Sequence, residues 1–361
     1  MLLSAASVLI VAALLIAAEA VLRLADPDYL RREPTTGINE LHRYSEVYGW
    51  EPRPGAREVV DGRRITINRQ GYRGREVDPM RHGRETRLVM LGDSLAFGTE
   101  VDDDDTFARL LDRDEALEVV NLSVPGYGPD QELLKLEREG LGYRPDVVIL
   151  NLCLENDFAD AALSRFLYDG VHPKPYFVFE RGRLSLRDEH LRLNAVEKLA
   201  LRLREGSHLY NRLFALAAAS RVNASFGGAS PDGLHWSLRK EQALRDKDAV
   251  ERLTLALIAR MQAEAEAQGA AFLVLVHPNK VAYNRGSPWL DAVLNARAVD
   301  GARTVDLTPL YRAHGLRFAD IAMDGIGHLS PRGHREAAAV IREVLASTGL
   351  DHRRAAATAM N

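Results

Sequence analysis

The chain has 361 residues, 46% of them hydrophobic and 27% charged, with a formal net charge of −4 at pH 7. This is ordinary globular composition with enough length for a sizeable buried core, and the near-neutral balance argues against nucleic-acid binding, which favours a basic patch or a high pI. The single cysteine, Cys153, excludes an internal disulfide; set in the apolar run 147–153, it reads as a buried structural thiol rather than a reactive one.

The chain starts on an uncharged stretch. Residues 1–18 are mostly Leu, Ala, Val and Ile, and Glu19 and Arg23 then interrupt an apolar continuation to Ala25. About 20 apolar residues span a bilayer, so residues 1–25 read first as an N-terminal membrane anchor. A cleaved signal segment competes, because Ala18-Glu19-Ala20 fits an A-x-A cleavage site, although no basic residue precedes the apolar run. A buried amphipathic helix is the third reading and fits an uncharged terminal run poorly. The flanking basic residues Arg23, Arg31 and Arg32 all lie on the C-terminal side, which by charge alone would put the rest of the chain in the cytoplasm.

Residues 26–85, rich in Arg, Pro and Gly, show little periodicity and read as a lead-in or stalk, with a short alternating strand over 64–68 and turns at Gly71 and Gly74. From residue 86 the pattern changes. Leu88-Val89-Met90-Leu91 is a buried strand ending at Gly92, and Asp105 or Thr106 can cap a helix through Leu111. A second strand covers 119–122, a helix 129–141, and a third strand 147–153. A long amphipathic segment, 246–268, precedes a strand at 271–276; another strand covers 303–307, and a last helix runs from Pro331 to about Ser347. Strands alternating with helices imply right-handed βαβ units. The expected fold is therefore α/β: a doubly wound, flavodoxin-like parallel sheet flanked by helices, over 86–350. Residues 157–245 interrupt it as an insertion expected to be helical, and 351–361 form a disordered tail.

Two segments carry chemistry. Ser94 stands two residues after Gly92 at a strand-to-helix turn, where backbone N–H groups can stabilise an anion. Alone, Gly92-Asp93-Ser94-Leu95 is a common turn, and a serine needs a base to act as nucleophile. Near the C-terminus, Asp324-Gly325-Ile326-Gly327-His328 offers a base with an acid four residues before it. A doubly wound sheet gathers such loops at the C-terminal ends of its strands.

With these segments in view, the chain resembles the SGNH (GDSL-type) hydrolase superfamily over residues 86–347. The first block is similar to Gly92-Asp93-Ser94-Leu95, which implies Ser94 as nucleophile. The second is similar to Asn121-Leu122-Ser123-Val124-Pro125-Gly126-Tyr127-Gly128, which implies an oxyanion donor at Gly126, with Gly128 in reserve. The third is similar to Leu154-Glu155-Asn156-Asp157, which implies the Asn156 amide as a further donor beside the Ser94 N–H. The last is similar to 324–328, which implies His328 as base and Asp324 as acid. The sequence departs from the family pattern twice. Glu155 stands where the family has Gly, and Asp324 lies four residues before the histidine rather than three. Gly325 and Gly327 could let the loop bulge to fit; Asp320, or a backbone carbonyl, could orient the base instead.

Other tempting residues read blandly. Asp102 to Asp105 precede a helix, where carboxylates favour the dipole. His334 falls inside the last helix. Asn279 and Lys280, after His277-Pro278, can line the site mouth or be ordinary loop residues. No H-x-H or H-x-x-E-H cluster occurs and Gly126-Tyr127-Gly128 lacks the rest of a dinucleotide fingerprint, so neither a metal nor another cofactor is expected.

Three functions follow as expectations: an ester hydrolase; an O-acetyltransferase or deacetylase acting on a cell-envelope polysaccharide; or a non-catalytic binding or assembly protein that keeps the fold. The partners expected are an acyl ester, small or carbohydrate, and a membrane, but no nucleic acid. The resemblance implies an extracytoplasmic domain held to the membrane, against the charge rule.

Overall fold

The computed structural model describes residues 2–27, 41–80, 85–168, 170, 172–213, 235–295, 303–324 and 327–350. The expected tail, 351–361, lies outside them. Leu2–Ala25 is one helix, and its stretch Ala6–Ala25 is long and apolar enough to cross a membrane, with none of its most apolar window buried against protein. That removes the reading of a buried core helix.

The segment expected as a stalk is folded wherever it is described. Strands β1 (His42–Ser45) and β2 (Gly49–Pro52) form one antiparallel hairpin, and β3 (Arg57–Val60) and β4 (Arg63–Thr66) form another. Leu41, Trp50, Ile65 and Ile67 are buried, so this stretch packs on the domain instead of spacing it.

Five strands carry the site: β5 (Thr86–Leu91), β6 (Leu117–Asn121), β7 (Val147–Cys153), then, after the insertion hairpin β8 (Tyr176–Glu180) and β9 (Arg183–Arg187), β10 (Ala271–His277) and β11 (Arg303–Asp306). They pair in parallel in the order β11-β10-β7-β5-β6, the flavodoxin-like order expected. Every residue of β5 and β7 is buried, as a parallel sheet covered on both faces requires. Because side chains alternate along a strand, Val89 and Leu91 join one core with helices Pro129–Arg138 and Lys247–Ala267, while Leu88 and Met90 join another with helices Phe107–Asp112 and Pro331–Thr348.

Local signals place these helices. The Thr106 side chain accepts the Arg109 N–H, and Ser330 accepts that of Gly333 with Pro331 in the first turn. The insertion differs from expectation. Beside helices such as Ala195–Gly206 and Trp236–Ala243 it holds the β8–β9 hairpin, because Tyr176-Phe177-Val178-Phe179 favours a half-buried strand.

Candidate active site

Ser94 sits where β5 stops at the topological switch point between β5 and β7, the place where open α/β sheets leave a crevice for ligands. Gly92 makes the turn possible. Its φ is +155°, and a Cβ there would come within 2.7 Å of the Ala96 Cβ. Asp93 then caps the short helix Ser94–Phe97, its Oδ1 accepting the Leu95 N–H at 2.9 Å. The Ser94 N–H, at the exposed start of that helix, donates to nothing among the described residues.

The loop before the last helix brings the other two residues in. An antiparallel bridge between Ala322 and Leu329 closes it, with the Met323 N–H donating to the His328 carbonyl at 2.8 Å. Asp324 turns the chain: its Oδ1 accepts the N–H groups of Gly327 (2.8 Å) and His328 (3.1 Å). Its Oδ2 lies 2.8 Å from His328 Nδ1, and His328 Nε2 lies 2.9 Å from Ser94 Oγ. The four-residue spacing thus still lets the carboxylate reach the ring. Gly327 has φ +121°; Gly325 lies outside the described residues. Asp320 is engaged elsewhere, with Arg317.

Burial tends to raise the Asp324 carboxyl, but the Gly327 N–H and the His328 ring and N–H outweigh it and hold the group below the usual carboxylate value. An ionised Asp324 favours the tautomer with the proton on Nδ1, leaving the Nε2 lone pair facing the Ser94 hydroxyl. Glu100 Oε1 is also 3.7 Å from His328 Nδ1, a neighbour that no motif announced.

Gly126 has φ +78°, and a Cβ there would fall 2.3 Å from the Phe166 ring. Its N–H also has no partner among the described residues. The loop around it is braced from outside the sheet: Trp50 Nε1 donates to the Pro125 carbonyl at 3.0 Å, and the Tyr127 hydroxyl donates to the Trp50 carbonyl at 2.6 Å. The recess at Ser94 is lined also by Asn156, Tyr168, Gly327 and His328, so the insertion supplies part of its wall.

Asn156 is near but committed. Its Nδ2 donates to Asp93 Oδ2 at 3.0 Å and to Asp160 Oδ2 at 2.9 Å. Both acceptors belong to a floor of fully buried acids, Asp93, Asp130, Glu132, Asp157 and Asp160, which meets one buried cation, Lys174. The Lys174 ammonium donates to Asp130 and, at 2.8 Å, to the Asp160 carbonyl. Neither Glu132 oxygen has a partner among the described residues. Burial, with the neighbouring acids, raises Glu132 and Asp157 far above the usual range. Burial lifts Asp93 and Asp130 as well, and pushes Asp160 up to about 7. Sequence reasoning missed this floor, because acids on a helix ordinarily face water.

The remaining candidates are structural. Glu155 binds Lys240 of the insertion and accepts the Asn279 amide at 2.7 Å, and Asn279 caps the next helix by accepting the Ala282 N–H. His277 lies buried 3.1 Å from Asn151 Oδ1. His334 Nδ1 accepts the Phe107 N–H at 3.1 Å from inside the last helix. Asp102 and Asp103 accept the N–H groups of Arg64 and Thr66, pinning the β3–β4 hairpin. Cys153 is buried, and no cluster among the described residues is built to hold a metal.

No family model matches the sequence, and no curated protein does. Among solved structures the chain is similar to TesA (13% identity, TM-score 0.38, over 72% of this chain and 97% of that one). It is similar too to an α/β hydrolase enzyme from the metagenome of Lake Arreo, Spain (16%, 0.40, 73% and 95%). An acetylxylan esterase from Geobacillus stearothermophilus aligns at 12% identity and 0.37, over 72% and 93%.

Proposed function

We propose that the chain is a serine esterase of the SGNH type. The observation that carries this reading is the unbroken line from Asp324 through His328 to Ser94 Oγ, beside the N–H groups of Ser94 and Gly126, which have no partner among the described residues. His328 takes the Ser94 proton on Nε2 as Oγ attacks the ester carbonyl, and Asp324 stabilises the imidazolium that forms. The tetrahedral oxyanion is held by the two N–H groups, each worth about 10²–10³ in rate. His328 then protonates the leaving alcohol. Water, deprotonated by His328, releases the acyl group as a carboxylic acid. Asn156 joins as a third donor by releasing the Asp160 carboxyl group when the oxyanion appears.

The substrate class proposed is an acyl ester of a carbohydrate or small alcohol. The apolar N-terminal helix favours a cell-envelope polysaccharide, reached by a domain outside the cytoplasm, and a sugar hydroxyl can replace water as acyl acceptor. The test is hydrolysis of a chromogenic acetyl ester by the full chain, together with labelling by a fluorophosphonate. Turnover and a covalent adduct on Ser94, both lost in Ser94→Ala, are expected; equal rates in the two proteins would reject the reading and leave a binding protein. A reporter fused after Asn361 tests the location, with an external signal expected.

A further inference from the structure

The N-terminal helix is not a free leader. Glu19 stands in its apolar run, where a carboxylate needs partners, and it has them. Its Oε1 accepts the His208 N–H at 3.0 Å and the Arg23 Nε–H at 2.7 Å. Its Oε2 accepts the Ser207 hydroxyl and the Leu209 N–H, both at 2.9 Å. Arg23 also donates to the Gly206 carbonyl, and Arg212 pairs with Asp26 at 3.1 Å. The last two turns of the apolar helix are thereby latched to residues 206–212 of the insertion.

Those residues directly follow the helix Ala195–Gly206, which has its own capping box at Asn194 and Glu197. Val196, Leu199 and Leu203 are 76%, 57% and 40% exposed. Spaced by three and four residues, they fall on one face. Lys198 lies away from that face and pairs with Glu46 at 2.9 Å. An apolar stripe on a helix whose far end is fastened to a bilayer-length apolar helix has one natural solvent. A second copy of the chain is a poor alternative occupant, since three aliphatic side chains fall far short of the roughly 1,200 Å² that a stable interface needs.

We infer that Ala195–Gly206 lies in the membrane interface with Val196, Leu199 and Leu203 turned into lipid, and that the apolar helix is retained in the mature protein as its latched partner. Cleavage after Ala20 would remove Glu19 and break the latch. The inference is independent of the chemistry at Ser94.

The test uses the full chain in phosphatidylcholine–phosphatidylglycerol vesicles. Leu199→Cys and Lys198→Cys are each labelled with a fluorophore; Cys153 is buried, its thiol pushed well up by that burial, and stays silent. Lipid-borne quenchers are expected to remove emission at position 199 and spare it at 198, and intact mass is expected to retain Glu19. Equal quenching at both positions, none at either, quenching only between copies, or an N-terminus beginning after Ala20 would each overturn the inference.

Discussion

The carboxylates at the rim of the site and those in its floor are the same chemical group shifted in opposite directions. Asp324, half-buried, collects the Gly327 and His328 N–H groups and the His328 ring, and is held below its usual value. Asp93, Asp130, Glu132, Asp157 and Asp160 are fully buried, Asp130 against the Lys174 ammonium, and every one is raised. Burial pushes both sets upward; the supply of donors decides the direction of the net shift. At the rim donors favour the charged form, whereas in the floor burial disfavours it.

The largest test of that division is Asp324→Asn. The amide oxygen can still accept the loop N–H groups, but the ring loses the partner that selects its tautomer. Ester turnover is expected to fall about 10³–10⁴-fold with little change in melting temperature; a large loss of stability with activity intact would invert the comparison. Next comes Lys174→Met in the floor. It strands Asp130 without its cation and is expected to cost about 3–5 kcal/mol in denaturant unfolding. A variant as stable as the parent would mean that the floor is already neutral without Lys174.

A smaller effect separates the two sets by the sign of their pH dependence. A group raised in the folded state, such as Asp160 at about 7, contributes stability that is complete below the ordinary carboxylate range and fades as pH rises toward neutrality. Asp324, lowered, contributes stability present above that range and lost on acidification. Denaturation between pH 4 and 7 is therefore expected to show a downward slope that Asp160→Asn flattens and Asp324→Asn does not. The smallest change is expected for Glu132→Gln. Burial disfavours the charged form of this carboxyl, which has no partner among the described residues, so replacing it by its amide should shift stability by less than about 1 kcal/mol. A large loss would show that Glu132 is ionised and paired through a contact absent from this arrangement.

Much of this was legible in the chain because the signals were local. The apolar runs at 88–91, 147–153 and 271–276 became β5, β7 and β10, and Pro331 opened the last helix. Ser94 and His328 were nameable from short runs, but their meeting depends on the sheet order. The strand expected at 64–68 was found in part as β4, but its hairpin with β3 was not expected, although Asp61-Gly62, both at positive φ, is the local signal of a tight hairpin turn. The β8–β9 turn carries a weaker signal. It uses Arg181 at φ +50°, a residue with no preference for that region, before Gly182. The floor was hidden for another reason. Asp130 and Glu132 belong to a helix with charges along its length, and contacts from distant parts of the chain, such as that of Lys174 with Asp130, take them out of water.

The sheet order also has a consequence for how the chain folds. β7 and β10 lie side by side, Val147 opposite Ala271, yet residues 154–270 separate them in sequence. β5, β6 and β7 come from one continuous stretch and can pair early, whereas β10 must wait until the insertion has been made. Such long-range pairing slows folding, and until it is complete β7 presents a strand that is apolar except for Asn151, with an open edge, a surface prone to aggregate. A chain emerging from the ribosome carries that exposed edge through the synthesis of the whole insertion, until β10 arrives.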